Sequence, residues 1–205
     1  MDVSQTNTYD KLYLADKNAF GKVHKIVERL TQYISSGSVL DLGAGGGGNS
    51  IFLAQHGFAV HAIDASPIAM SMLKERAEAE NLPITTEVAD ISSRVFNTSY
   101  DVTLCTFVLH FLTTDKAIEC VRSMQAHTRQ GGFNVITTFT TQGDLSKENQ
   151  SDSDRFLIAN QDVLKDLYAD WDVHVLFEKE TGLRKKREDG TPLTNMFVGL
   201  IAQKR

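Results

Sequence analysis

Five of the six residues at positions 43–48 are glycine, and they directly follow an apolar stretch at 38–42. Glycine lets the backbone adopt positive φ angles and come close to a ligand, because it carries no Cβ atom. The residues after the run, which include Ile51, Phe52 and Leu53, are typical of a helix whose first N–H groups point back towards the turn. The pattern therefore predicts a buried strand, a ligand-binding glycine loop and a helix in direct succession.

Strand-like and helix-like stretches alternate along the rest of the chain. Ser66 followed by Pro67 predicts a helix start, since a serine hydroxyl can cap the first turn and proline fits the first helical position. Gly131 and Gly132 predict a turn into a later strand. The predicted strands are 38–42, 59–63, 85–89, 100–106, 133–140, 172–178 and 196–203, and the predicted helices are 16–34, a short one ending at Gly57, 67–80, one capped by Thr114, and 161–168.

This alternation over five units is typical of an α/β domain with a mostly parallel sheet. The last two predicted strands have no helix between them, so one of them should run antiparallel to its neighbour. The 205 residues contain neither an internal repeat nor a Pro-rich or Ser-rich linker. We therefore expect a single domain.

Composition limits the classes of partner. With 26 acidic residues against 21 Lys and Arg, the chain carries a net charge of -5, which is unfavourable for binding nucleic acid phosphates. Cys105 and Cys120 are flanked by apolar residues and are expected to be buried thiols in a reducing compartment. No apolar run reaches the roughly 18 residues of a membrane span, and the N-terminus lacks a signal-peptide pattern. We expect a soluble cytoplasmic protein with no nucleic-acid partner, no membrane partner and no metal site; its oligomeric state is left open.

Three carboxylates end three successive predicted strands: Asp41, Asp64 and Asp90. In a parallel sheet these strand ends share the edge at which open α/β sheets bind ligands. Asp41 ends a buried strand, where a carboxylate is costly unless it has a partner. Asp64 can accept hydrogen bonds from both hydroxyls of an unphosphorylated ribose. Two alternatives stay open, namely that Asp64 caps the following helix and that Asp90 only solvates a strand end.

Asp41, Gly43, Gly45 and Gly47 match the first motif, acid-x-Gly-x-Gly-x-Gly, of the class I S-adenosylmethionine-dependent methyltransferases. The chain resembles this family over about residues 38–140. The resemblance implies a three-layer, Rossmann-like α/β fold with a mostly parallel seven-stranded sheet and one antiparallel strand near the C-terminus. It implies S-adenosyl-L-methionine as the cofactor, with its methionine part bordered by these residues and its ammonium group near Asp41.

The same resemblance assigns the other cofactor contacts. It makes Asp64 the ribose ligand, with Ala65 as a packing neighbour. Asp90 becomes the acid near the adenine amine, with Ile91 beside the adenine ring. Thr106, at the end of the fourth strand, is then the contact at the reactive end of the cofactor.

Three stretches, Asp10-Lys11, Gly48-Asn49-Ser50 and 106–112, resemble the tellurite-resistance methyltransferases more specifically, and Asn49 is counted with the cofactor residues. In the N-terminal segment 1–15 we predict a lid, in which the rings of Tyr9 and Tyr13 cover the sulfonium and Lys11 meets a carboxylate. The alternative is an ordinary frayed terminus.

The acceptor side, which we place with residues 141–205 and the loop after the fourth strand, has two candidates. His110 follows the fourth strand, and Arg184-Lys185 stands where the tellurite-resistance group has His-Arg. The resemblance favours a small chalcogen oxyanion such as tellurite, whereas a thiol would equally suit a site with no clear acid–base pair. The alternatives are a structural His110 and a solvated basic segment at 184–187.

Two other functions remain open from the sequence. Gly43, Gly45 and Gly48 also satisfy the dinucleotide fingerprint of nicotinamide-dependent oxidoreductases, although the Tyr-x-x-x-Lys match at Tyr13 and Lys17 precedes the first strand. Glycines and acids indicate binding and not transfer, so a non-catalytic cofactor-binding module has the same signature.

Overall fold

The computed structural model describes residues 10–15, 21–93, 96–144, 156 and 158–205. The strands are β1 (Gly37–Leu42), β2 (Phe58–Asp64), β3 (Ile84–Val88), β4 (Tyr100–Thr106), β5 (Thr128–Gly143), β6 (Trp171–Lys186) and β7 (Pro192–Lys204). The helices of the described residues are α1 (Lys25–Leu30), α2 (Gly48–Gln55), α3 (Pro67–Ala79), α4 (Thr114–Ala126) and α5 (Asp162–Leu167), with a helical segment at 10–15 and a 3-10 turn at Leu109–Phe111.

All seven strands form one sheet in the order β3-β2-β1-β4-β5-β7-β6. The first five are parallel, and β7 runs antiparallel to both β5 and β6. This confirms the predicted mixed sheet. At its carboxyl edge Leu42 is in register with Ile63 on one side and with Cys105 on the other, so β1, β2 and β4 end side by side.

The core lies on both faces of the sheet. Leu40 and Leu42 of β1 belong to a cluster that α4 and α5 cover, whereas Val39 belongs to a second cluster that α1, α2 and α3 cover. Strands buried on both faces read as continuous apolar runs, which is why the central strands were visible in the sequence. Cys105 and Cys120 are both buried, as predicted. None of the helices in the described ranges combines the length and hydropathy needed to cross a bilayer.

Several element boundaries and one helix cap were predicted wrongly. Strand β5 begins at Thr128, so Gly131 and Gly132 lie within it and do not form a turn before it. Helix α4 has Thr113 as its N-cap, and Thr114 is its first residue. The helix predicted at 16–34 extends over only Lys25–Leu30 within the described residues, because His24 is extended and its N–H donates to Asn49 Oδ1 at 3.0 Å. Strands β6 and β7 are longer than predicted, since their paired but exposed ends lack an apolar pattern and are held by the hairpin ladder.

Candidate functional site

The glycine loop between β1 and α2 is pinned to the end of β2. The N–H groups of Gly43 and Ala44 donate to the carbonyl of Ile63 at 2.8 and 3.0 Å. Gly43 has a φ of 71°, and a Cβ atom there would lie 2.2 Å from Val108 Cγ2, so both the conformation and the close approach require glycine. Gly45 has a φ of 53°, and a Cβ atom added to it would lie 2.7 Å from the hydroxyl oxygen of Tyr13. The loop is therefore enclosed by side chains from distant parts of the chain.

Asp41 is fully buried beside this loop. Ser50 Oγ donates to its Oδ2 atom at 2.6 Å, whereas its buried Oδ1 atom has no hydrogen-bond partner among the described residues. Burial raises the pKa of the Asp41 carboxyl to about 6, the Ser50 hydrogen bond opposes this rise and the Asp64 charge adds to it. A buried carboxylate oxygen that lacks a partner at a glycine loop fits a cationic ligand group such as an ammonium.

Asp64 lies at the end of β2, where two backbone groups hold its side chain. Its Oδ2 atom accepts from the Gly45 N–H and its Oδ1 atom from the Ser66 N–H, both at 2.9 Å. Burial raises the pKa of the Asp64 carboxyl, although these two hydrogen bonds oppose the rise. Helix α3 is capped by Ser66, whose Oγ accepts from the Ala69 N–H at 3.0 Å, so Asp64 does not serve as that cap. Each of its oxygens retains a lone pair for a ligand hydroxyl.

The third predicted carboxylate follows β3 on the same edge. The Ala89 N–H donates to the Asp64 carbonyl at 3.0 Å, which keeps the next residue, Asp90, near the end of β2. Asp90 is half-buried and accepts from the Ser92 N–H at 2.9 Å, Ile91 is buried beside it, and Ala65 is half-buried.

Asn49 connects the glycine-loop helix to the end of β4. Its Nδ2 atom donates to Thr106 Oγ1 at 2.9 Å, and its Oδ1 atom accepts the His24 N–H. Asn49 and Thr106 are both buried. The structure thus brings two predicted site residues into direct contact and adds His24, which the sequence reasoning missed.

The N-terminal segment packs onto the same edge of the sheet. Ser66 Oγ donates to Asp10 Oδ1, and the Tyr13 side chain is buried with its hydroxyl next to Gly45. Lys11 lies on the exposed side of this helical segment. Tyr9 lies outside the described residues.

The two predicted acceptor-side residues lie in different places. The His110 ring is half-buried, with its centroid 4.7 Å from that of Phe139 and 4.1 Å from that of Phe111. Phe139 is in register, through β7, with Lys179 of β6. Arg184 is exposed five residues farther along β6, roughly 17 Å for an extended strand, so the structure does not bring it to His110.

Sequence reasoning also missed the role of Phe107. It has a φ of 55°, and its ring centroid lies 5.1 Å from that of His24, 4.9 Å from that of Phe139 and 5.1 Å from that of Phe197. A positive φ for a residue other than glycine leaves no trace in a sequence. Among the described residues there is no group of three or more His, Cys, Asp or Glu side chains that could hold a metal ion.

Comparison with known proteins gives concordant results. The model of the family described as "Tellurite resistance protein TehB" matches residues 7–201. "Hemagglutinin 1" from Eikenella corrodens is 32% identical over 94% of this chain and 63% of its own length. The "Probable S-adenosyl-L-methionine-dependent methyltransferase TehB" from Haemophilus influenzae is 31% identical over 94% of this chain and 66% of its own length.

A solved structure shares the fold. The crystal structure of TehB from Haemophilus influenzae is 30% identical and superposes with a TM-score of 0.79 over 89% of this chain and 63% of that one. The chain thus spans about two thirds of the length of the relatives that it matches.

Proposed function

Because the chain belongs to the TehB tellurite-resistance protein family, we propose that it transfers a methyl group from S-adenosyl-L-methionine to a chalcogen atom of a small acceptor. The observation that carries this proposal is the buried Oδ1 atom of Asp41, which has no partner among the described residues and lies beside the glycine loop. The Haemophilus influenzae relative, which is named as a probable S-adenosyl-L-methionine-dependent methyltransferase, supports the choice of cofactor.

The residues of the carboxyl edge fit the parts of this cofactor. Asp41 would accept from the ammonium of the methionine part, and Asp64 would accept from the ribose hydroxyls while Gly45 and Ser66 hold its carboxylate in place. Asp90 and Ile91 would border the adenine.

When bound, the sulfonium supplies an already activated methyl group, so the protein has chiefly to align the acceptor and exclude water. Thr106 is held by Asn49 and would border the reactive end. Tyr13 covers the glycine loop, and the segment at 10–15 would act as the proposed lid with Lys11 at its surface.

The acceptor proposed from family membership is a chalcogen compound, either an oxyanion such as tellurite or a thiol. His110, at the turn after β4, would border the acceptor in both cases. Arg184, near the end of the β6–β7 hairpin, would contribute to acceptor binding only if the acceptor is an anion, because its positive charge would attract that anion.

Binding and turnover assays test the proposal. Calorimetry should show binding of S-adenosylhomocysteine and no binding of NADH, and incubation with S-adenosylmethionine and tellurite, selenite or a thiol should release S-adenosylhomocysteine. NADH binding would instead indicate an oxidoreductase. Tight binding of S-adenosylhomocysteine with no turnover on any chalcogen acceptor would indicate a non-catalytic module.

A further inference from the structure

The N-terminal helical segment contacts both of the residues that hold the Asp64 carboxylate. That carboxylate accepts from the Gly45 N–H and from the Ser66 N–H, both at 2.9 Å. The Ser66 hydroxyl also donates to Asp10 Oδ1. The Tyr13 hydroxyl lies 2.7 Å from the position that a Cβ atom on Gly45 would take. The segment is therefore attached to the proposed ribose site at two points.

Both attachment points lie on one face of the segment. Asp10 and Tyr13 are three residues apart, and residues at this spacing are neighbours on a helix surface. Tyr13 is buried and Asp10 is half-buried, whereas Lys11 and Leu14 are exposed. The face that carries Asp10 and Tyr13 is thus the one turned towards the carboxyl edge of the sheet.

Two carboxylates meet at Ser66, since Asp64 bonds to its N–H and Asp10 to its hydroxyl. Neither carboxylate forms an ion pair with a Lys, Arg or His side chain of the described residues. Burial raises the pKa of the Asp64 carboxyl most, its backbone hydrogen bonds oppose the rise, and the charge of Asp10 adds to it. Like charges this close oppose each other's ionisation, so docking of the segment has an electrostatic cost.

Apolar contacts favour docking and act against this cost. Tyr13 belongs to the core cluster that α1, α2 and α3 cover, and Leu12 packs against the same cluster. A helix of this length is marginal by itself in water, so its order depends on such contacts. The repulsion between Asp10 and Asp64 can therefore decide whether the segment is docked.

A bound ribose would change this balance. Each Asp64 oxygen retains a lone pair beside its backbone hydrogen bond, and ribose hydroxyls that donate to these oxygens stabilise the charge on Asp64. The repulsion that Asp10 meets then decreases. The methionine part of the cofactor has no such effect, because the proposed site places its ammonium at Asp41.

We propose that Asp10 makes docking of the segment at 10–15 depend on the cofactor ribose: repulsion from Asp64 keeps the segment weakly docked until the ribose hydroxyls donate to Asp64. This inference rests on the proposed function and adds a trigger to its lid. Asp10 is a positioning residue, because it bonds to Ser66 and acts through the order of the segment. Closure then follows cofactor binding and does not require the acceptor.

Asp10→Asn separates the charge of Asp10 from its hydrogen bond, because the amide oxygen can still accept from the Ser66 hydroxyl. In the ligand-free variant, the amides of a peptide containing residues 10–15 should exchange about tenfold more slowly than in the wild type, as measured by hydrogen-exchange mass spectrometry. Asp166→Asn, which neutralises an exposed carboxylate on α5, is the matched control and should exchange like the wild type. Unchanged or faster exchange in Asp10→Asn would overturn the proposal.

The trigger is tested with parts of the cofactor. S-adenosylhomocysteine and adenosine, each at a concentration that saturates the site by calorimetry, should slow exchange of this peptide in the wild type. Methionine, which has no ribose, should leave it unchanged. In Asp10→Asn, adenosine should add little further slowing, and an equal response in variant and wild type would show that Asp10 does not carry the effect.

The same data separate this inference from the proposed function. Slower exchange with S-adenosylhomocysteine but not with adenosine would overturn the ribose trigger and leave the proposed function standing. A protein that binds neither ligand and turns over no chalcogen acceptor would contradict both.

Discussion

Within the proposed site, the fold shifts the pKa of the Asp41 carboxyl most clearly. Its pKa is raised from 3.8 to about 6, mainly by burial. Because the folded state then holds the proton more tightly than the unfolded state, the free energy of unfolding of the ligand-free protein should fall as pH rises from about 4 to above 6. The fold therefore maintains this carboxylate at a cost to stability, which is expected of a group that serves a ligand.

Asp41→Asn should raise the melting temperature of the ligand-free protein above pH 6, where the wild-type carboxyl is ionised. The gain should be on the order of 1–3 kcal/mol, since each pKa unit corresponds to about 1.4 kcal/mol. The affinity for S-adenosylhomocysteine should decrease in the variant. In the wild type that affinity should also decrease as pH falls through about 6, and in the variant it should be flat there. Parallel pH dependence in both proteins would show that Asp41 does not contact the ammonium.

Asp64 offers a second test at a single position. Asp64→Ala should weaken S-adenosylmethionine binding by about 1.5–3 kcal/mol, the range for a hydrogen bond to a charged group. Calorimetry on the folded variant measures this loss. Asp172→Ala is the matched control, because Asp172 is an exposed aspartate near the start of β6, away from the carboxyl edge. Equal S-adenosylmethionine affinities for the two variants would show that Asp64 does not bind the ribose.

Among the elements, the glycine loop combines a conformational and a steric requirement that two variants can separate. Gly43 and Gly131 have similar φ angles of 71° and 75°, but a Cβ atom would clash with Val108 only at Gly43. Gly131→Ala should cost only the backbone penalty, about 1–2 kcal/mol. Gly43→Ala should destabilise the protein further and displace Val108. Thermal melts and cofactor titrations of the pair check this, and equal losses would mean that the close approach has no energetic role.

The helical segment at 10–15 is another element with a testable behaviour. A helix this short is marginal by itself, so its stability must come from contacts such as that of Tyr13 with the glycine loop. Its amides should exchange quickly in the free protein and more slowly when S-adenosylhomocysteine binds. Hydrogen-exchange mass spectrometry measures the difference, with α4 as the internal control. Identical exchange in the two states would leave Tyr13 and Lys11 as ordinary terminal residues.

At the level of the whole molecule, the β6–β7 hairpin decides how far Arg184 lies from the proposed site. Arg184→Ala should leave kcat/KM for thiols unchanged, because Arg184 lies five residues along β6 from the level of Phe139, against which the His110 ring packs. His110→Ala should lower kcat/KM for the acceptor and also the melting temperature, since its ring packs against Phe139.

Steady-state kinetics with a thiol and with tellurite check both variants. A tenfold to hundredfold loss for tellurite in Arg184→Ala, on the order of 1–3 kcal/mol, would identify an oxyanion contact instead.

The sequence by itself determined the features that depend on local chemistry. The glycine loop, the Ser66–Pro67 helix start, the parallel strands and the carboxylates at their ends all follow from neighbouring residues, and each is confirmed in the structure. Membership of the tellurite-resistance family, expected from the resemblance of Asp10-Lys11, Gly48-Asn49-Ser50 and residues 106–112, is confirmed as well. Parallel strands that are buried on both faces are easy to recognise in a sequence, because each is a short, continuous apolar run bounded by turn residues.

Only the tertiary structure decided which side chains meet at the acceptor end. Asn49 is 25 residues from His24 and 57 from Thr106, so neither contact could be seen in a local pattern. The ring contacts of Phe107 depend on its positive φ and on the register that places Phe139 opposite Phe197. The same register places Arg184 far along β6 from Phe139, against which the His110 ring packs. The length of the β6–β7 hairpin could not be predicted, because backbone pairing extends it through exposed residues that have no apolar pattern.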